Sequence, residues 1–384
     1  MSAPLDADPA TATPGIFGDY HPSTGVYDES VLSSGNPRPH WRHFVSLFEK
    51  LGRDELAARW ENGRRIIHEH GVTYNIYGDP QGMDRPWELD MVPLLIPAEE
   101  WSRIEAGLTQ RAKLFNLILA DLYGPQRLLR DGLIPPALVF ANPGFLRACH
   151  GLRVPQKIYL HLHAVDLARS PDGQWWVLAD RTQAPSGSGY ALENRIVLSR
   201  ILPDEFRDCH VQRLASFFRL ERDMLRNLAP GQPDNPNVVL LTPGPHNETY
   251  FEHAYLARYL GFTLVEGGDL TVRDRRVFLK TLEGLQTVDV IFRRIDDTFC
   301  DPLELRSDSF LGVPGLVEAA RAGNVAIANA LGCGLLESPA FLARLFSAMD
   351  QVLLADWVES GMSADQATLI ERFQRLVERT FLRK

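Results

Sequence analysis

Four consecutive apolar residues, Val238-Val239-Leu240-Leu241, open the stretch that most narrows what this chain can fold into. A strand without polar alternation must be buried on both faces, and a sheet is covered on both faces when helices cross over between parallel strands. The residues that follow keep that rhythm. Residues 248–260 carry helical spacing, Thr263-Leu264-Val265 is a short strand, residues 277–279 and 288–292 are further strands, 315–321 is a helix and 325–328 a last strand. The expectation is an α/β protein with a mostly parallel, Rossmann-like layer over residues 236–335.

The Pro-rich run Ala229-Pro230-Gly231-Gln232-Pro233-Asp234-Asn235-Pro236 marks a boundary before that layer. Upstream, residues 38–70 read as helix ending at Gly71, and 92–96 as a short strand. A long helix opens at Pro97 with Glu99 and Glu100 in its first turn and stops at Tyr123-Gly124-Pro125. Residues 157–183 read as a hairpin: a strand at 158–168, the turn Ser170-Pro171-Asp172-Gly173, and a return strand at 174–182. Helices are expected at 190–199 and 204–228. The division that results is a disordered tail (1–35), an α+β region (36–230), the Rossmann-like domain (236–335) and C-terminal helices (338–384).

Composition excludes several classes of function. With 40 basic and 49 acidic residues the net charge is -9, which disfavours nucleic acid as a partner. No run reaches the roughly 18 apolar residues of a membrane span, and residues 1–18 lack the basic-then-apolar pattern of a secretory signal. The four cysteines, Cys149, Cys209, Cys300 and Cys333, are widely spaced with no CxxC pair, which suits reduced thiols in a cytoplasmic protein.

Six segments carry a resemblance when taken together and in order. They are Tyr77-Gly78-Asp79-Pro80-Gln81-Gly82; Asp121-Leu122-Tyr123-Gly124-Pro125-Gln126; Asp180-Arg181-Thr182-Gln183-Ala184-Pro185-Ser186-Gly187 with Leu192-Glu193-Asn194-Arg195; Thr242-Pro243-Gly244-Pro245-His246-Asn247-Glu248 with Thr249-Tyr250-Phe251-Glu252-His253; Phe292-Arg293-Arg294-Ile295-Asp296-Asp297 with Leu311-Gly312-Val313-Pro314-Gly315; and Ala328-Asn329-Ala330-Leu331-Gly332-Cys333-Gly334. Over roughly residues 35–340 the chain resembles the circularly permuted ATP-grasp type 2 family, similar in fold to glutathionylspermidine synthetase and glutathione synthetase. The resemblance implies a hairpin-bearing α+β part followed by a Rossmann-like pre-ATP-grasp domain. It also implies ATP and Mg²⁺ as cofactors, an acyl-phosphate intermediate, and an amine that attacks it to form an amide. Carboxylate and amine substrates, small or peptide-like, would be the partners.

The resemblance also directs attention to particular residues. The family's metal ligands are an Asp on the first hairpin strand and a Glu-x-Asn on the second; here Asp166 fits the first, while Ala179 and Arg181 stand at the other two positions. A four-residue turn puts Asp166, Ala179 and Arg181 on one face and Asp180 on the other. Asp166 is therefore read either as a Mg²⁺ ligand or as an ion-pair partner of Arg181, and Arg181 as a phosphate contact in place of the ion. Ser186-Gly187-Ser188-Gly189 is read as a loop approaching phosphate ahead of a helix N-terminus, with Asn194 and Arg195 facing the nucleotide. Asn247, after the first strand of the sheet, and Arg294, at the end of another, are read as orienting substrate. Past residue 341 the sequence departs from the family pattern: residues 342–384 contain no Lys-Pro pair and a single lysine, Lys384. The alternative expectation is a catalytically inactive remnant serving as a binding or scaffold module, with a protein partner or the tail helices covering the missing segment.

Overall fold

The structure is a computed structural model that describes residues 20–75 and 85–349. The expected motif at 77–82, the first part of the tail and the helices beyond 349 lie outside the described residues. Helix α1 (Arg42–Glu69) is interrupted at Gly52, whose φ of 73° is not helical. Helix α2 (Ala98–Leu122) begins and ends where its Pro, acidic and Gly-Pro signals place it. The strand expected at 92–96 does not form; Pro93 and Pro97 remove ladder donors, and the segment is irregular and partly exposed. Two short helices, α3 (Arg127–Arg130) and α4 (Pro136–Phe140), lead to the hairpin of β1 (Ala164–Arg169) and β2 (Trp175–Arg181). The first hairpin strand starts later than the 158 expected. Residues 158–163 instead run beside the end of the last strand of the main sheet, held by Asn116 of α2 and by Asn329.

Helix α5 (Ser188–Ile201) packs Tyr190, Val197 and Ile201 against Phe44, Phe48 and Ile67 of α1. The helix expected over 204–228 is two, α6 (Pro203–Asp208) and α7 (Ala215–Asn227), separated where His210 adopts a φ of 52°. Then come β3 (Val238–Leu241), α8 (Tyr250–Leu260) and β4 (Thr263–Val265). Next is an antiparallel meander of β5 (Leu270–Arg273), β6 (Arg276–Thr281) and β7 (Gly284–Thr287), of which the sequence showed only residues 277–279. Last are β8 (Val290–Arg293), α9 (Leu316–Arg321), β9 (Ala326–Ala328) and α10 (Pro339–Met349).

Strands β4-β3-β8-β9 form one sheet in that order, every pair parallel. The apolar runs divide between its faces by the two-residue period of a strand. Val239, Leu241, Ile291 and Ile327 join a core with Phe115, Ile118 and Leu122 of α2 and Leu316 of α9. Val238, Leu240, Val290, Phe292 and Ala328 join Phe218 and Leu225 of α7 and Leu256 and Leu260 of α8. Each fully buried large side chain of this kind contributes about 1.5–3 kcal/mol, so the sheet is anchored from both sides. Its carboxyl edge opens onto three loops: 242–249, 294–300 and 329–338. The end of the hairpin docks there, with Thr182 Oγ1 donating to Cys333 O at 2.8 Å and Asp297 N donating to Gln183 Oε1 at 3.1 Å.

Candidate functional site

At the hairpin the register sets Asp166 opposite Ala179. Arg181, on the same face, donates from Nη2 to Asp166 Oδ2 at 2.9 Å, and both side chains are about half exposed (58% and 48%). The ion pair that the sequence allowed is formed. At that exposure it contributes at most roughly 1 kcal/mol. Magnesium takes six oxygens in near-octahedral array. Here one Asp166 oxygen already faces a guanidinium, Ala179 offers no ligand, and no group of three or more His, Cys, Asp or Glu is gathered among the described residues. The hairpin residues do not fit a divalent cation. Asp180 points the other way into the core, where Arg111 Nε reaches it at 2.7 Å and His163 Nε2 at 2.9 Å. Burial opposes its ionisation, but those hydrogen bonds outweigh burial and hold the carboxyl below its usual range.

The second group of candidate residues converges on Glu252 of α8. Gly187 N and Gly189 N each donate to Glu252 Oε1 at 2.8 Å, and Arg294 Nη2 lies 3.4 Å from Glu252 Oε2 while donating to Pro185 O at 2.6 Å. Glu252 is fully buried and Arg294 is 5% exposed. The carboxylate that Arg294 grips is thus the chain's own, and the two loop amides read as phosphate donors are directed at the same group. Burial draws the Arg294 pKa down, with Glu252 and Glu221 opposing. Glu221 of α7 is buried beside them, and burial raises its pKa to about 7. His253, next to Glu252 in sequence, has Nδ1 2.9 Å from Thr242 Oγ1, and burial pushes its pKa down to about 2. It is a neutral structural histidine.

The remaining predicted residues are spread around this group. Asn194 Oδ1 accepts from Trp87 Nε1 at 2.8 Å. Arg195 is half-buried, which lowers its pKa. Asn247 Oδ1 accepts from Thr249 N at 3.0 Å and Thr249 Oγ1 at 2.8 Å, bracing the turn into α8. Ser186, Gly187, Ser188 and Gly189, with Arg294, are brought together; Asp166 and Arg181 form a separate pair on the hairpin.

The carboxyl edge also carries an open cleft of about 580 Å³ that the sequence did not single out. Ala137, Leu138 and Pro143 give it an apolar wall, and Asn142, Gln183, Asp296 and Glu337 a polar one. Asp297 in its floor is buried and accepts from Gly332 N at 3.1 Å and Gly334 N at 3.4 Å. Asp296 is exposed, and no cation pairs with its carboxylate among the described residues. Although its side chain reaches solvent, the walls of the cleft partly desolvate the Asp296 carboxyl and raise its pKa; Arg293 opposes, and the charges of Glu337 and Glu248 add to the rise. Glu337 Oε1 accepts from Thr182 N at 2.6 Å and Gln183 N at 2.9 Å. Asn329 uses its whole amide: Oδ1 accepts from His161 N and Leu162 N at 2.7 and 2.8 Å, and Nδ2 donates to Leu162 O and Thr182 O at 2.7 Å each. An asparagine inside the apolar run 325–331 was the signal that could have revealed this brace, because a buried amide needs partners.

Comparison with known proteins agrees with this architecture. A family model described as circularly permuted ATP-grasp type 2 matches residues 93–356. An uncharacterized protein of Mycobacterium tuberculosis (strain ATCC 25618 / H37Rv) is 43% identical over 335 residues, covering 85% of this chain and 38% of that protein. An uncharacterized protein of Synechocystis sp. is 41% identical over 317 residues, covering 83% of this chain and 66% of that protein. The chain therefore spans less than two thirds of the length of these relatives. Among solved structures, a glutathione synthetase-like effector from Globodera pallida in apo form superposes with a TM-score of 0.51 at 12% identity, covering 86% of this chain and 71% of that one. At that identity the likeness speaks to the fold alone.

Proposed function

The chain belongs to the circularly permuted ATP-grasp type 2 family, and on that premise we propose that it carries the substrate-orienting part of an ATP-dependent ligase joining a carboxylate to an amine as a peptide-like amide. Family members generally use ATP and Mg²⁺. The observation that carries the reading is the cleft at the carboxyl edge of the parallel sheet, the edge where open α/β sheets collect their ligands. Its exposed Asp296 carboxylate beside Glu337 suits a cationic amine, and holding that amine against a second substrate supplies the proximity such a ligation needs. Asn247 braces the neighbouring loop. Arg294 acts as a positioning residue, through Pro185 and Glu252.

The Asp166–Arg181 pair favours a second reading, an inactive ATP-grasp remnant serving as a binding or scaffold module. Isothermal titration calorimetry with Mg-ATP separates the two. Micromolar binding supports the ligase reading. Loss of that binding in Asp166→Ala would place the metal on the hairpin, and its retention would place the metal elsewhere. No heat at millimolar Mg-ATP, in protein shown to be folded, leaves the second reading standing.

A further inference from the structure

Helix α5 has 14 residues, and the amides of Gly187 and Gly189 at its start point to a single oxygen, Glu252 Oε1, at 2.8 Å each. Converging amides at a helix N-terminus form an anion site. Two further observations say that it is built around an anion, and a third shows that the field of its arginine reaches a second acid. Arg294, 5% exposed, lies 3.4 Å from the other oxygen of the same carboxylate, and its Nε has no hydrogen-bond partner among the described residues. Gly189 leaves room for the carboxylate stem: a Cβ there would stand 2.8 Å from Glu252 Cγ. Glu221, 4% exposed, sits in the field of the same arginine, and its Oε2 is also without a hydrogen-bond partner among the described residues. The pocket thus holds one full cation, two aligned amides, one occupying carboxylate and two unused polar atoms.

We infer that the N-terminus of α5 together with Arg294 is a site for a small oxyanion, carboxylate or phosphate, and that Glu252 fills it from within the chain. Glu252 is a built-in occupant. Its carboxylate is tethered, fully desolvated and at high effective concentration, so an external anion at ordinary concentration does not displace it. The 186–189 loop in the native protein is therefore closed to a nucleotide phosphate unless α8 withdraws Glu252. This inference stands whether or not the chain binds ATP in the cleft or elsewhere, so its failure and that of the ligase reading are separate.

The test removes the occupant. Glu252→Ala leaves the donors in place and opens a cavity the size of a carboxymethyl group. Thermal unfolding of wild type, Glu252→Ala and Glu252→Gln is followed in rising sodium acetate and, separately, inorganic phosphate, with sodium chloride at matched ionic strength as control. In Glu252→Ala the acetate series should raise Tm saturably by about 3 °C or more over chloride. Wild type and Glu252→Gln, whose side chains still fill the site, should not respond. A response to phosphate but not acetate would assign the site to phosphate; a response to acetate alone, to carboxylate. If Glu252→Ala does not fold in chloride, its refolding yield in acetate or phosphate against chloride gives the same reading. Equal shifts in wild type and Glu252→Ala, or no shift and no recovery of the variant in either anion, would overturn the proposal.

Discussion

Glu221 sits on α7 in the field of one arginine and one other carboxylate, and burial raises its pKa from the usual 4.5 to about 7. The folded protein therefore keeps a proton that the unfolded chain has released. Stability from this group is complete below about pH 4.5 and declines as pH rises towards 7. Glu221→Gln removes that decline: the variant should be more stable than wild type at pH 8 by up to about 3 kcal/mol, with no difference at pH 4. Urea midpoints of the two proteins across pH 4–8 check it, and parallel curves would mean Glu221 ionises freely in the fold. His253 acts in the opposite sense. Buried neutral with a pKa near 2, it withdraws stability as pH falls below 6.5, but it does so equally in both proteins and cancels in their difference.

Among the elements, the sheet shows how far sequence reasoning reaches. Val238–Leu241 and the run 290–292 of β8 are legible because both faces of each are apolar, and the hairpin because Ser170-Pro171-Asp172-Gly173 is a turn by its chemistry. The pairing of Asp166 with Arg181 across one face depends also on a register shift between Asp166 and Leu167, which sets Asp166 opposite Ala179 and was not legible in the turn. The β5–β6 turn was not legible: Asp274 and Arg275 take φ of 49° and 59°, left-handed geometry that two-residue hairpins require and that Gly or Asn usually announces. Residues 158–163 looked like strand because their apolar pattern is strand-like, yet most of their backbone partners are side chains: Asn116 for Tyr159 and Leu160, Asn329 for His161 and Leu162. The role of Glu252 was hidden for the same reason, since 65 residues separate it from Gly187. Asn329→Ala should strip four hydrogen bonds from buried or half-buried groups and cost about 3–4 kcal/mol. A stability loss of less than about 1 kcal/mol by denaturant unfolding would mean that water replaces the amide.

Taken whole, the described residues contain no helix long and apolar enough to cross a membrane, and the cysteines are free thiols placed very unequally. Cys149, Cys300 and Cys333 are buried, with burial pushing the Cys300 thiol up to about 12, whereas Cys209 is partly exposed. A disulfide reagent should titrate one thiol quickly in the native protein and four in denaturant; two or more fast thiols in the native state would contradict this packing. The brace made by Asn329 and Glu337 bears on how the molecule comes into being. A two-stranded hairpin is marginal by itself, and the end of this one is fastened at Thr182 by residues 147 and 155 positions further along the chain. At a synthesis rate of about 5–20 residues per second, the hairpin waits roughly 8–30 s after leaving the ribosome before its fasteners emerge. During that interval its apolar face is open to chaperones or to a neighbouring nascent chain, so the last strand of the sheet sets the moment at which the first half of the protein becomes safe from misassembly.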